Sequence, residues 1–262
     1  MPIPAPLRRA ITRARPVVPP DLLRLARTIR SLRGAGPVVG LPSFGRVLVV
    51  APHPDDESLG CGGTMALLAD TGASVTILTA TDGESTMGAT GPPEQTARIR
   101  RAEAERAAAA VGAAPRFLGL TDGGLAEQRA ELTAALRTAI AELEPEAVFA
   151  PWPLDNGSDH RAVADALADA VDDASETQVW GYEVWTALVP NRIVEITSVV
   201  ARKRAAVAAH ETAHLALDLS ASDGMARWRS MNGLAGRGWA EAFLALSAAQ
   251  YRALATELVQ AG

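Results

Sequence analysis

The chain has 262 residues, 48% hydrophobic and 21% charged, with a formal net charge of −5. That composition is globular, with room for one large α/β core, and the acidic balance argues against nucleic acid as the main partner. No apolar run approaches the roughly 18–20 residues that cross a bilayer, and Cys61 is the only cysteine, so the expected compartment is a reducing cytoplasm.

The charge is unevenly placed. Residues 1–45 carry eight arginines against one acid, Asp21, a balance of +7, which leaves −12 for the remainder. Residues 1–20 are rich in Pro and Arg, are expected to be poorly ordered, and lack the apolar stretch of a signal peptide. Asp21 is placed to cap a helix over 22–33, in which Leu22, Leu25, Ile29 and Leu32 recur at helical spacing with Arg24, Arg27 and Arg30 on another face. Such a helix either packs on its own domain with its arginines in solvent or makes a peripheral contact, through residues 8–33, with an anionic membrane. Gly34, Gly36, Pro37, Gly40 and Pro42 then break the chain, which divides into an extension over 1–45 and a main domain over 46–262.

From residue 46 the patterns alternate. Strands are expected over 46–51, 74–81, 115–120 and 146–150, with helices over 60–71, 94–111, 127–143 and 160–171. This order predicts an α/β fold of three layers, a mainly parallel sheet with helices on both faces. The runs 178–185 and 192–197 flank Pro190-Asn191 and read as a late edge hairpin. The tail reads as helical over 199–214 and 223–258, with a break near Gly233–Gly238.

The chemistry concentrates in Ala51-Pro52-His53-Pro54-Asp55-Asp56-Glu57, directly after the apolar run Val47-Leu48-Val49-Val50. Polar residues there sit at the carboxyl end of a strand, where open α/β sheets bind ligands. His53 and Asp56, three apart on a tight turn, can bring an imidazole nitrogen and a carboxylate oxygen onto one cation. An oxygen/nitrogen set of this kind suits Zn²⁺ and tolerates other divalent first-row metals. The best third ligand is His160, which follows the strand 146–150 within Pro151-Trp152-Pro153-Leu154-Asp155-Asn156-Gly157-Ser158-Asp159-His160. Three protein ligands leave positions for water and substrate, and Asp55 beside them can act as general base. Blander readings stand next to this one: a lone His after a strand is commonly structural, and Asp55-Asp56 can simply cap the following helix. Gly60, Gly62 and Gly63 do not fit a dinucleotide or phosphate-loop pattern. Cys61 reads as a small buried residue.

These residues, with Leu59-Gly60-Cys61-Gly62-Gly63-Thr64, Thr81-Asp82-Gly83-Glu84, Arg100-Arg101-Ala102-Glu103, Asp159-His160 and Ala240-Glu241-Ala242-Phe243, resemble the ordered blocks of the PIG-L/LmbE-like family of metal-dependent N-deacetylases. The resemblance covers roughly 46–250. It implies a Rossmann-like fold, zinc on His53, Asp56 and His160, Asp55 as general base, and Arg100 and Glu103 near the site in a substrate-orienting or supporting role. It also implies a small-molecule substrate containing N-acetylglucosamine, such as a glycoside, glycolipid or secondary metabolite. An amidase for a larger acyl group or a thiol conjugate is the alternative. One departure stands out: Gly157 and Ser158 replace the first two residues of the family's H-P-D-H block. Asp159 thereby loses the imidazole it would orient, and with it the acid that protonates the leaving amine. Asp55 recycling its proton, or His210 or His214 reaching in, would have to replace it; otherwise the chain is a metal- or sugar-binding protein with weakened catalysis.

Overall fold

The computed structural model describes residues 37–86 and 91–259. The expected helix over 22–33, and the membrane contact through residues 8–33, lie outside them. Eight strands form one sheet among the described residues: β1 (Val38–Val39), β2 (Arg46–Ala51), β3 (Ser74–Thr81), β4 (Ala114–Leu120), β5 (Ala147–Pro151), β6 (Gln178–Tyr182), β7 (Arg192–Glu195) and β8 (Ala240–Ser247). The helices are α1 (Asp56–Asp70), α2 (Pro93–Val111), α3 (Arg129–Leu143), α4 (Ser158–Ala170), α5 (Val200–Ala209), α6 (Glu211–His214), α7 (Ala221–Arg229) and α8 (Ala248–Val259). No described helix is long and apolar enough to cross a membrane.

The strand order is β1-β7-β8-β6-β5-β2-β3-β4, and every pair is parallel except those made by β8. From β2 the chain steps one way to β3 and β4, then crosses back to place β5 on the other side of β2. The loops leaving β2 and β5 therefore part in opposite directions, and a crevice opens between them at the carboxyl edge of the sheet. That switch point is where the candidate site lies.

Both sheet faces are covered, which explains why the central strands are apolar without alternation. Along β2, Leu48 and Val50 enter one core with Leu132 and Leu136 of α3 and Val163 and Leu167 of α4. Val47 and Val49 point the other way, into a core with Met65 and Leu68 of α1, Ala107 of α2, Phe149, Trp180 and Phe243. This is the expected three-layer arrangement, with a C-terminal part that is mostly helical.

Two expectations change. Residues 240–247, expected within a helix, form β8, paired with β6 on one side and β7 on the other. The alanines there favour a helix locally, but two open strand edges and the aromatic contacts of Phe243 with Phe149 and Trp180 outweigh that preference. Consequently β6 and β7 are not a hairpin, since β8 lies between them. The sheet also starts before residue 46, because β1 pairs with β7.

Strand β8 also explains the Ala240-Glu241-Ala242-Phe243 block. Helix α1 is interrupted at Cys61, which has non-helical φ/ψ (−143°, 19°), and so exposes a fresh set of amide donors. Glu241 accepts the N–H groups of Gly63 and Thr64 (2.9 and 2.7 Å) and the Thr64 hydroxyl (2.6 Å), and pairs with buried Lys203. A carboxylate at a helix N-terminus is favourable on both hydrogen-bond and dipole grounds. Cys61 itself is fully buried, as expected.

Candidate metal centre

The turn after β2 carries His53, Asp55 and Asp56, and the loop after β5 delivers His160 on the first turn of α4. The two imidazoles meet, with ring centroids 5.6 Å apart. His53 Nδ1 lies 3.2 Å and His160 Nε2 3.4 Å from the same oxygen, Asp56 Oδ2. The three side chains thus offer one ligand atom each within the span of a single cation.

Carboxylates behind each ring assign its free nitrogen. Asp155 Oδ2 sits 3.0 Å from His160 Nδ1, so the proton belongs there and Nε2 is left to ligate. Behind His53, Nε2 faces Asp122 Oδ1 at 3.1 Å and Asp159 Oδ2 at 3.3 Å, leaving Nδ1 toward Asp56. A carboxylate holding the remote N–H of a histidine is the usual outer support of a metal site. Burial lowers the affinity of both rings for a proton, but the facing carboxylates outweigh it, and both pKa values are raised. Asp56 is nearly fully buried, and its Oδ1 has no hydrogen-bond partner; neither has His160 Nε2. Two buried polar atoms without partners on adjacent side chains are groups that a cation would satisfy. The donor set and these atoms fit a divalent cation bound through nitrogen and oxygen.

Asp55 stands apart from the ligand atoms. Its φ of 142° is a strained conformation for a non-glycine residue, the kind retained where a side chain must be aimed. Arg100, buried on α2, donates from Nη2 to Asp55 Oδ2 (3.1 Å) and to the Pro54 carbonyl (2.5 Å), and from Nη1 to the Gly83 carbonyl (3.0 Å). Burial and the Asp56 charge hold the Asp55 carboxyl above the usual range, against the opposing pull of Arg100. His53, Asp55, Asp56, Arg100 and Asp122 share a cavity of about 240 Å³ with Trp185 and Leu217.

The other expected residues are placed differently. Asp159 lies in the support of His53, and it accepts the N–H groups of Gly123 and Leu125 (2.8 and 3.2 Å). Glu103 does not border the cavity; its Oε1 takes the N–H and hydroxyl of Thr212 (2.9 and 2.7 Å), tying α2 to α6. Neither candidate substitute acid borders the cavity either. His210 is fully buried beside Ser58 Oγ (3.1 Å) and Glu57 Oε1 (3.5 Å), and His214 Nε2 faces the Val207 carbonyl. Gly157 has a φ of 116°, and a side chain there would be strained and would meet the His160 ring at 3.3 Å. Asp122 and Asp155 were not singled out by sequence reasoning. Both follow a parallel strand at its carboxyl end, Asp122 in Thr121-Asp122-Gly123-Gly124 after β4, which is the signal that identified His53.

Residues 48–171 match the PIG-L family, GlcNAc-PI de-N-acetylase. A 1D-myo-inositol 2-acetamido-2-deoxy-alpha-D-glucopyranoside deacetylase of Kineococcus radiotolerans is 36% identical over 142 residues, covering 53% of this chain and 38% of that protein. The diacetylchitobiose deacetylase of Thermococcus kodakarensis is 30% identical over 190 residues, covering 64% of this chain and 69% of the relative. Of the first curated relatives matched, the chain spans 38%, 60% and 55% of their length. Among solved structures, a conserved protein of Thermus thermophilus aligns with a TM-score of 0.64 at 34% identity, over 76% of this chain and 93% of that one. The N,N'-diacetylchitobiose deacetylase of Pyrococcus horikoshii aligns with a TM-score of 0.64 at 27% identity, over 79% and 86%. With the His-Asp-His convergence at the switch point and these matches in both sequence and fold, the chain belongs to the PIG-L family of deacetylases.

Proposed function

We propose that this protein is a zinc-dependent amide hydrolase that removes the acetyl group from a small-molecule amino sugar, with His53, Asp56 and His160 as ligands and Asp55 as general base. The observation that carries the reading is the pair of orphaned atoms, Asp56 Oδ1 and His160 Nε2. Each unsatisfied buried polar group costs roughly 1–3 kcal/mol, and a bound divalent ion would remove both penalties. The relatives' substrates, acetamido sugars, favour the same class.

A zinc ion on these ligands would supply Lewis acidity toward the amide carbonyl and make nearby water acidic at neutral pH. The chain's own residues supply the proton handling. Asp55 accepts a proton from the water as its oxygen bonds to the carbonyl carbon. Arg100 holds the receiving carboxylate still, and its burial makes it a stronger base than a surface aspartate. When the C–N bond breaks, the same proton passes from Asp55 to the departing amine, yielding acetate and the free amino sugar. With Gly157 where the family carries an imidazole, and with His210 and His214 outside the cavity, Asp55 is the carboxyl that serves both steps.

Acetate release from N-acetylglucosamine glycosides, measured with and without chelator, tests the proposal. Asp55→Asn should lower kcat by about 10²–10⁴-fold while zinc binding is retained. Hydrolysis that persists undiminished in chelator or in Asp55→Asn would defeat the mechanism. Zinc binding without turnover of any amide would leave a binding protein.

A further inference from the structure

A second cavity, of about 310 Å³, opens beside the metal cavity, and the two have Trp185 and Leu217 in common in their walls. Its floor is Leu59-Gly60 of α1 and the 240–242 end of β8, and its outer wall is the segment from Leu217 to Ala226, including Leu219 and Met225. Five charged side chains also reach this wall; four of them pair with one another within the protein, and the fifth, exposed Asp218, accepts the N–H and hydroxyl of Ser220 through Oδ1. Arg229 forms two bonds to Glu183 and one to the Leu188 carbonyl, and Glu183 also accepts the Leu188 N–H. Lys203 is bonded to Glu241 and to the Leu59 carbonyl. None of the lining side chains is among the buried polar groups left without a partner, whereas two residues lining the metal cavity carry such atoms, Asp56 Oδ1 and Arg100 Nε. A ligand portion lodged here meets mainly alkyl and indole surface, with the polar side chains of Asp218 and Ser222 on the outer wall. Trp185 and Leu217, at the seam, are each about half exposed, apolar surface that a ligand would cover.

We infer that this cavity is a subsite for an alkyl group of several carbons carried by the amino-sugar substrate, so that the preferred substrate is amphipathic, its amide at the metal and its apolar chain against Trp185, Leu217, Leu219 and Met225. The inference rests on the amide-hydrolase reading for the reacting end only. The alkyl group has two possible sources, the acyl chain being removed or an apolar aglycone on the sugar, and both present the same chemistry to the wall.

Two substrate series separate the sources: N-acylglucosamines from acetyl to octanoyl, and alkyl N-acetylglucosaminides from methyl to octyl. Burying a methylene is worth about fourfold in binding, so kcat/KM should rise by about three- to fourfold per methylene in one series until the cavity is filled. A rise in the acyl series assigns the subsite to the leaving acyl chain, and a rise in the glycoside series assigns it to the aglycone. Ala221→Trp and Ser222→Phe, both on the outer wall, should each lower the long-to-short preference by about tenfold or more, as two to three methylenes lose their place. Isothermal titration of octyl glucosaminide and of octanoate into zinc-loaded and chelated protein reads the cavity without turnover. Flat dependence in both series, with the acetyl substrate still hydrolysed and neither octyl ligand bound, overturns the inference and leaves the deacetylase reading intact. Octyl ligands that bind, and are displaced by the two substitutions, while no amide is cleaved would uphold the subsite and defeat the hydrolase reading.

Discussion

Asp155→Asn tests the tautomer argument on which the metal centre stands. Asp155 is nearly fully buried and divides its oxygens between two tasks: Oδ2 faces His160 Nδ1 at 3.0 Å, while Oδ1 accepts the N–H groups of Asn156, Trp185 and Thr186 at 3.0, 3.1 and 2.7 Å. Asparagine keeps the volume, and its carbonyl oxygen can keep all three backbone bonds only if its NH₂ takes the place of Oδ2. The alternative flip would aim NH₂ at three backbone donors, leaving each unsatisfied at roughly 1–3 kcal/mol. With NH₂ facing it, His160 Nδ1 must accept, so the ring proton moves to Nε2, the nitrogen aimed at Asp56. A protonated nitrogen cannot ligate. Loss of such outer support lowers metal affinity by about 10–100-fold, or about 1.4–2.7 kcal/mol. Stability should change less, by about 0.5–1.5 kcal/mol, because the backbone bonds remain. Competition titration of zinc against a chromogenic chelator, alongside thermal melts, reads the two quantities separately. Wild-type zinc affinity in a folded Asp155→Asn protein would show that Asp155 does not set the ring.

Three further outcomes are expected. Glu241→Ala strands buried Lys203 and removes acceptors from Gly63 and Thr64, so denaturant unfolding should show a loss of about 3–5 kcal/mol; an unchanged midpoint would mean α1 does not depend on this cap. Gly60→Ala places a methyl 2.2 Å from the Tyr182 ring, which is fixed by its hydroxyl bond to the Val50 carbonyl (2.8 Å). It should destabilise by about 1–3 kcal/mol, and a neutral melt would show that the ring can yield. Because the His53 and His160 pKa values are raised in the fold, their contribution to the stability of the chelated protein is complete below the ordinary histidine value of about 6.5 and is lost as pH rises through the folded values. Zinc needs the same rings unprotonated, so its stabilisation should grow over that interval; parallel pH trends with and without chelator would contradict the ligand assignment.

Much of the architecture was legible because buried parallel strands have so few composition options. Val47-Leu48-Val49-Val50 and Ala147-Val148-Phe149-Ala150 are apolar on both faces, and α/β alternation leaves a mainly parallel sheet as the solution. The C-terminal region was less legible. Its alanine-rich stretch over 240–247 suits a helix in isolation, and only the two strand edges awaiting it, with Phe243 against Phe149 and Trp180, make it a strand. Glu103 shows the same limit at a single residue. The family resemblance put it beside Arg100 at the site, yet the two side chains leave α2 toward different partners, Thr212 for Glu103 and Asp55 for Arg100.

What the sequence determined by itself was the chemistry available: a histidine and two aspartates compressed behind one strand, a second histidine behind another, and a glycine where an imidazole was expected. Residue type and spacing along a turn are local properties, and they are enough to name a possible ligand set. What only the tertiary structure decided was how those groups are held and what surrounds them. Asp155 and Asp122 set the ring nitrogens from different loops, Arg100 reaches Asp55 from α2, and an apolar cavity joins the metal cavity along Trp185 and Leu217. Each of these depends on the reversal of strand order at β2, which brings distant loops to one edge, and no local pattern encodes a distance between residues a hundred positions apart.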